Sequence, residues 1–202
     1  MTEPSEVRPG PGRPRDPQLD EQVLRATQEL LVEQGFQATT IQGVARRAGV
    51  VATSIYRRWP NKIHLVEDAI FALDTGAVPQ PTGDIGEDLL AWTRLFFAAA
   101  THPAARSGIP GLLSAYHDDE QSYRRLRERG EDLARLALRD TLDAAIASGQ
   151  AAAGCDPDQI FEFLRGATLL RALTRGDEDG ERFCRQTAAA LVILATHHES
   201  ST

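Results

Sequence analysis

Thr39-Thr-Ile-Gln-Gly-Val-Ala-Arg-Arg-Ala-Gly-Val-Val-Ala-Thr-Ser-Ile-Tyr-Arg-Arg-Trp-Pro-Asn-Lys62 is the stretch on which the fold turns. Ile41, Val44, Ala45 and Ala48 recur at helical spacing and Gly49 ends the run. A second short helix follows, with Val51, Ala52, Ile55 and Trp59 on one face, closed by Pro60. Helix, tight glycine turn and helix present the second helix to a DNA major groove. Val44, Ala48, Ile55 and Trp59 point inward and lock the pair against Val23 and Leu30. Thr53, Ser54, Tyr56, Arg57 and Arg58 point outward. Thr53, Tyr56 and Arg57 stand at i, i+3 and i+4, so they share a face. A hydroxyl, a phenol and a guanidinium suit base edges and phosphates. Gln42, on the first helix, joins this candidate set.

Residues 1–16 are rich in Pro, Gly and charge and are expected to form a flexible basic arm. A helix then begins, with Asp16 as cap and Pro17 in its first turn. It carries Val23, Ala26, Thr27, Leu30 and Leu31 and ends at Gly35. The Thr39-Thr40 pair caps the next helix, and Asn61 caps a fourth that runs through Ile63, Val66 and Ile70 to about Leu73. Residues 74–83 form a linker. Every long segment beyond it reads as helix: 84–101, 108–117, 119–148, one opened by Asp156-Pro157, and about 181–197. No stretch alternates as a strand does. The expected fold is all-α. A helix-turn-helix domain at 17–73 follows the arm and precedes a larger helical domain at 84–199.

The net charge of −7 argues at first against a nucleic-acid partner, and its distribution reverses that. Residues 71–202 carry 13 basic and 20 acidic groups, whereas residues 1–70 carry 9 of each. No acid lies between Glu33 and Glu67, and the interval holds Arg46, Arg47, Arg57, Arg58 and Lys62. Screening confines the relevant field to about 10 Å, so a basic patch on an acidic protein still binds phosphate.

Other classes are poorly supported. No apolar run approaches the ~18 residues of a membrane span. The start of the chain lacks the apolar core of a signal peptide, so a cytoplasmic protein is expected. Cys155 and Cys184 suit reduced thiols rather than a disulfide framework, and no CxxC spacing suggests zinc. The histidines show no HExxH spacing, and no GxSxG, P-loop or GxGxxG occurs. No enzyme, cofactor or metal is expected.

The segment from Thr39 to Lys62, followed by Leu65, closely resembles the helix-turn-helix signature of the TetR family of regulators. The match combines Thr-Thr, Ala-Gly-Val, Tyr-x-x-aromatic and a lysine three residues beyond the aromatic. Gly12-Arg-Pro-Arg15 and Gly35-Phe36 are also similar to that family, over roughly residues 12–70. The resemblance implies that Thr40 caps the second helix and touches phosphate, and that Tyr56 and Lys62 contact phosphates. It implies that Thr53 and Arg57 reach bases or nearby phosphates, and that Arg13 and Arg15 enter the adjacent minor groove. Two positions depart from the pattern. Val51 stands where a hydroxyl is frequent, and Gly43 where an acid is frequent. A helix-interior glycine costs ~1 kcal/mol relative to alanine, so close packing or a backbone approach is expected at Gly43.

The resemblance further implies a homodimer built by the last two helices, about 157–175 and 181–197, on a palindromic double-stranded operator. The final helix supports this independently. It is apolar on more than one side, with Ala190, Leu191 and Leu194 on one and Ala188, Val192 and Ala195 on another. The middle helices are expected to enclose an apolar small-molecule effector. The candidate wall residues are Trp92, Phe96, Phe97, Leu112, Tyr116 and Tyr123, with His102 and His117 as polar handles. The plainer reading makes most of these aromatics core residues. The expected activity is a repressor released by its effector. A DNA-binding protein without effector control and an activator stay open.

Overall fold

The computed structural model describes residues 17–72, 77–118, 124 and 132–197. Among the described residues it contains nine helices and no strand: α1 (Pro17–Ala38), α2 (Ile41–Ala48), α3 (Ala52–Tyr56), α4 (Lys62–Phe71), α5 (Ile85–Thr101), α6 (Pro103–Asp118), α7 (Asp132–Ala147), α8 (Pro157–Arg175) and α9 (Gly180–Thr196). The all-α expectation holds. The arm at 1–16, Tyr123 and the first part of the expected 119–148 helix lie outside the described residues, apart from Arg124.

Short polar residues start the helices where the sequence placed them. Thr40, Asn61 and Asp156 each accept a hydrogen bond from a backbone N–H in the first turn of α2, α4 and α8. Asp84 does the same for α5. Gly35 does not stop α1 outright. It takes φ 75° and kinks the chain, and the short continuation carries Phe36 back into the interior.

Three clusters hold the molecule together. Val23, Leu30, Val44, Ile55, Trp59 and Leu65 unite α1 to α4. Leu31, Phe36, Val66, Ala104, Leu112 and Tyr116 join α1 and α4 to α6. Leu89, Trp92, Leu138, Leu142, Phe161, Leu164 and Leu191 unite α5, α7, α8 and α9. Each large side chain buried here stabilises by about 1.5–3 kcal/mol relative to exposure. On α7 the core side is Leu138, Thr141, Leu142 and Ala145, whereas Leu133 and Leu136 are exposed, contrary to a plain reading of the leucine spacing.

α6 begins five residues before the expected 108–117 segment. Gly108, Pro110 and Gly111 weaken its helical signature, yet two of them serve packing. A Cβ at Gly111 would lie 2.2 Å from the Phe36 ring, and one at Gly108 would lie 2.9 Å from Ile70 Cδ1. The absent side chains let α6 lie directly on α1 and α4. Gly111→Ala gains helix propensity but collides with a ring held at Gly35. A net loss of about 1–3 kcal/mol is expected, as for overpacked cores. Urea unfolding reads it, and a midpoint at or above that of the parent chain contradicts the packing argument.

Candidate functional site

The helix-turn-helix is built as its sequence indicated. Gly49 adopts φ 67°, ψ 29°, where a left-handed residue is needed. The Val50 N–H bonds the Ala45 carbonyl at 2.9 Å and the Gly49 N–H bonds that of Arg46 at 3.4 Å, closing α2 in a Schellman motif. α3 follows at once. The Trp59 indole donates to Asp68 at 2.8 Å, which ties the end of the recognition segment to α4. Thr53, Tyr56 and Arg57 are exposed together, and Gln42 lies 3.4 Å from the Tyr56 hydroxyl. Ser54 is half-buried beside them.

Of the two departures in this segment, Gly43 has a local explanation and nothing in the structure explains Val51. Val51 occupies the cap position of α3, makes no side-chain cap bond and stays exposed. At Gly43 a Cβ would stand 3.1 Å from Thr40 Oγ1, the atom that accepts the Gly43 N–H at 3.0 Å. The cap and the glycine fit each other.

The basic patch is smaller in space than along the chain. Arg47 binds Glu33 through two nitrogens at 2.8 and 2.6 Å and reaches Glu29 at 3.2 Å. The hydrogen bond from Arg47 holds the Glu33 carboxyl below the usual carboxylate range. Arg58 bonds Asp20 at 2.6 Å and is largely buried against α1, so it does not share the outward face predicted for it. Acids of α1, distant in sequence, return to neutralise two of the five cations. Arg46 and Arg57 stay exposed. Lys62 is half-buried, with Nζ donating to the Phe36 carbonyl at 3.0 Å and lying 4.2 Å from that ring's centre. Burial pushes its pKa below the usual lysine value. Lys62 therefore anchors the Gly35 kink and also sits at the N-terminus of α4.

The larger helical part holds a cavity of about 320 Å³. Its walls come from α4 (Glu67, Ile70, Phe71), α5 (Leu95, Phe96, Ala99), α6 (Ile109, Leu112, Leu113, Tyr116) and α8 (Phe161, Arg165, Thr168, Leu169), with Ala134 of α7. Phe96, Leu112 and Tyr116 line it as expected. Four other candidates do not. Trp92 is fully buried in the core beside it, with its indole 3.3 Å from the Thr141 hydroxyl. Phe97 packs on Phe183, His102 accepts the Ala104 N–H at the start of α6, and His117 is exposed. The expected enclosure by the middle helices alone missed α4 and α8. Glu67 was legible all the same. Ile63, Glu67 and Ile70 stand at i, i+4 and i+7, which puts a carboxylate on the apolar stripe of α4. It is 4% exposed and accepts a 2.8 Å hydrogen bond from the Tyr116 hydroxyl.

A second unpartnered feature is an apolar face on α8 and α9. Phe163, Leu170 and Ile193 are 53, 65 and 56% exposed, and Ala190 and Leu194 lie outward with them. The expected two sides of the last helix are regrouped. Ala188, Leu191 and Ala195 form its core side, Val192 packs half-buried against the core, and Ala190, Ile193 and Leu194 its outer side. Among the described residues no group of three or more His, Cys, Asp or Glu side chains is placed to hold a metal ion, and no helix is long and apolar enough to cross a membrane.

Comparison with known proteins agrees with this architecture. Residues 23–69 match the model of the bacterial regulatory proteins of the tetR family. Residues 79–191 match the tetracyclin repressor-like C-terminal domain. The chain is 30% identical to the HTH-type transcriptional regulator YdeS of Bacillus subtilis (strain 168), covering 86% of this chain and 88% of that one. It is 29% identical to the DNA-binding transcriptional repressor TetR of Mycobacteroides abscessus, over 76% of this chain and 81% of that one. Among solved structures, the TetR family transcription regulator SCO0332 superposes with a TM-score of 0.67 at 29% identity, covering 87% of this chain and 97% of that one. A TetR transcription regulator from Haloarcula marismortui superposes at 0.69 with 19% identity, over 90% and 100% of the two chains, a likeness of fold. A helix-turn-helix closed at Gly49, a larger helical domain behind it and matches over both parts together make this chain a member of the TetR family of transcriptional regulators, which are not enzymes.

Proposed function

We propose that the chain is a cytoplasmic, homodimeric repressor that leaves a palindromic operator when a small apolar molecule enters the cavity. The single observation that carries the DNA-reading part is the joint exposure of Thr53, Tyr56 and Arg57 on the helix after the Gly49 turn. Arg57 reads bases or adjacent phosphates, Thr40, Gln42 and Tyr56 hold the flanking backbone, and Arg13 and Arg15 reach the minor groove. Lys62 adds a cation at the start of α4, where the helix terminus also favours phosphate.

Dimerisation through α8 and α9 covers Phe163, Leu170, Ile193 and Leu194, which a monomer leaves in water. Two recognition helices then meet successive major grooves ~34 Å apart. The cavity bears on this spacing because Glu67, Ile70 and Phe71 belong to α4, the helix that Trp59 grips through Asp68. A ligand that wedges α4 favours a dimer of the wrong spacing. A differential affinity of ~3 kcal/mol for the two states suffices for over 100-fold release.

Selection of bound DNA from a random pool tests the reading face. The parent chain is expected to yield one palindromic site. Arg57→Ala should relax preference at particular base pairs, and Lys62→Ala should weaken all sequences about equally, with folding checked by circular dichroism. Sequence-independent binding by the parent chain with a steep salt slope contradicts the operator reading. For the dimer, Ile193→Asp combined with Leu170→Arg should convert the species seen by analytical ultracentrifugation to a monomer. A dimer that persists places the interface elsewhere.

A further inference from the structure

The cavity is mainly apolar. Ile70, Leu95, Phe96, Leu112 and Phe161 supply walls of carbon, and two charged groups, Glu67 and Arg165, line the same space. Their situations differ. Arg165 is 27% exposed, with Glu162, which also pairs with Arg135 at 2.7 Å, lying 3.9 Å away. Glu67 is 4% exposed, and its hydrogen-bond partner is the Tyr116 hydroxyl. Among the described residues no cation forms an ion pair with it.

A carboxylate accepts at about four lone-pair sites, and one phenol fills one of them. Taking a carboxylate out of water without a counter-charge is costly, whereas a charge-assisted pair made inside an apolar cavity is strong. An apolar occupant without a donor would seal Glu67 off without satisfying it. An anionic occupant would meet like charge at Glu67, the more deeply buried of the two charged groups. An occupant with cationic N–H groups at one end would satisfy both the walls and the carboxylate.

We propose that the cavity takes an apolar organic cation, a molecule with a hydrophobic or aromatic body and a protonated amine. Glu67 binds the amine, and Tyr116 fixes the orientation of the carboxylate. The proposal rests on the effector reading above and names the chemistry of the effector. The walls of Phe96 and Phe161, edge to face at 5.6 Å, receive the apolar body.

Three probes of one shape test it on the full chain by isothermal titration: 4-phenylbutylamine, 4-phenylbutanol and 4-phenylbutanoate. The amine is expected to bind about ten-fold or more tightly than the carboxylate, with the alcohol between, as a charge-assisted hydrogen bond warrants. Glu67→Gln should remove the amine's advantage and leave the alcohol within about two-fold of its parent affinity. Tyr116→Phe, which keeps the aromatic wall, should preserve the amine's advantage because Glu67 remains. Ala99→Trp, which fills the cavity, should abolish binding of all three. The proposal is overturned if the carboxylate binds as tightly as the amine, or if the amine fails to bind the parent chain. It is also overturned if the amine's advantage survives Glu67→Gln, is lost in Tyr116→Phe, or persists in Ala99→Trp. Operator occupancy followed in the same titrations separates the two readings. Amine bound in the cavity with the operator still held contradicts release and leaves the cation site standing. Release by the carboxylate alone contradicts the cation site and leaves release standing.

Discussion

Leu65, Val66 and Glu67 are consecutive, all are buried, and each faces a different compartment. Leu65 enters the core of the helix-turn-helix, Val66 the cluster shared with α6, and Glu67 the cavity. A helix turns by about 100° per residue, so three successive side chains reach the interior only if the helix is packed on most of its circumference. α4 is such a helix, and it joins the helix-turn-helix core, the cluster shared with α6 and the cavity wall. α1 and Trp59 cover one side, α6 approaches another through Gly108, and α5 and α8 complete the cavity on the third. Close-packed interiors transmit displacement, so in the proposed switch a change in the cavity wall would reach the segment after α3 through the Trp59–Asp68 bond. On the proposed function, this packed continuity is the route by which an occupant of the cavity would bias the DNA-reading surface.

Electrostatics refine the reading surface by subtraction. The cations between Glu33 and Glu67 look like one block in the chain, but Glu29, Glu33 and Asp20 project from α1 and take Arg47 and Arg58. What remains outward is a narrow set dominated by Arg57 and Arg46 beside hydroxyl and phenol groups. On the proposed reading, so narrow a set on an acidic chain would disfavour coating of arbitrary DNA and leave affinity dependent on a correct fit. Lys62 is held differently, by a carbonyl and a ring, so its charge has a fixed position at the start of α4.

The recognition unit was legible in the sequence because its signals are local. Thr40, Gly49, Pro60 and Asn61 mark boundaries by backbone chemistry, and Thr53, Tyr56 and Arg57 share a face by spacing alone. The all-helical character of the remainder was legible for the same reason. The cavity was not, because its walls are drawn from four long helices and one residue of a fifth, and the choice between core and cavity depends on how they cross. Trp92 and Phe96 are four residues apart on one helix, yet one is buried in the core and the other meets the open space. The first turn of α6, residues 103–107, fell outside the expected segment, and Gly108 and Gly111, which weaken a helix locally, act globally as contact points. Arg58 was misread because its partner, Asp20, is remote in sequence.

The coupling through α4 is the central claim, and amide hydrogen exchange measures it without knowledge of the effector. Exchange is compared for the free chain and the chain on its selected operator. The account predicts that DNA slows exchange in α2 and α3 and also along Leu65–Phe71 and the 109–116 face of α6, since these pack as one unit with the reading surface. Protection that ends at Lys62, with α4 and α6 exchanging as in the free chain, would contradict it.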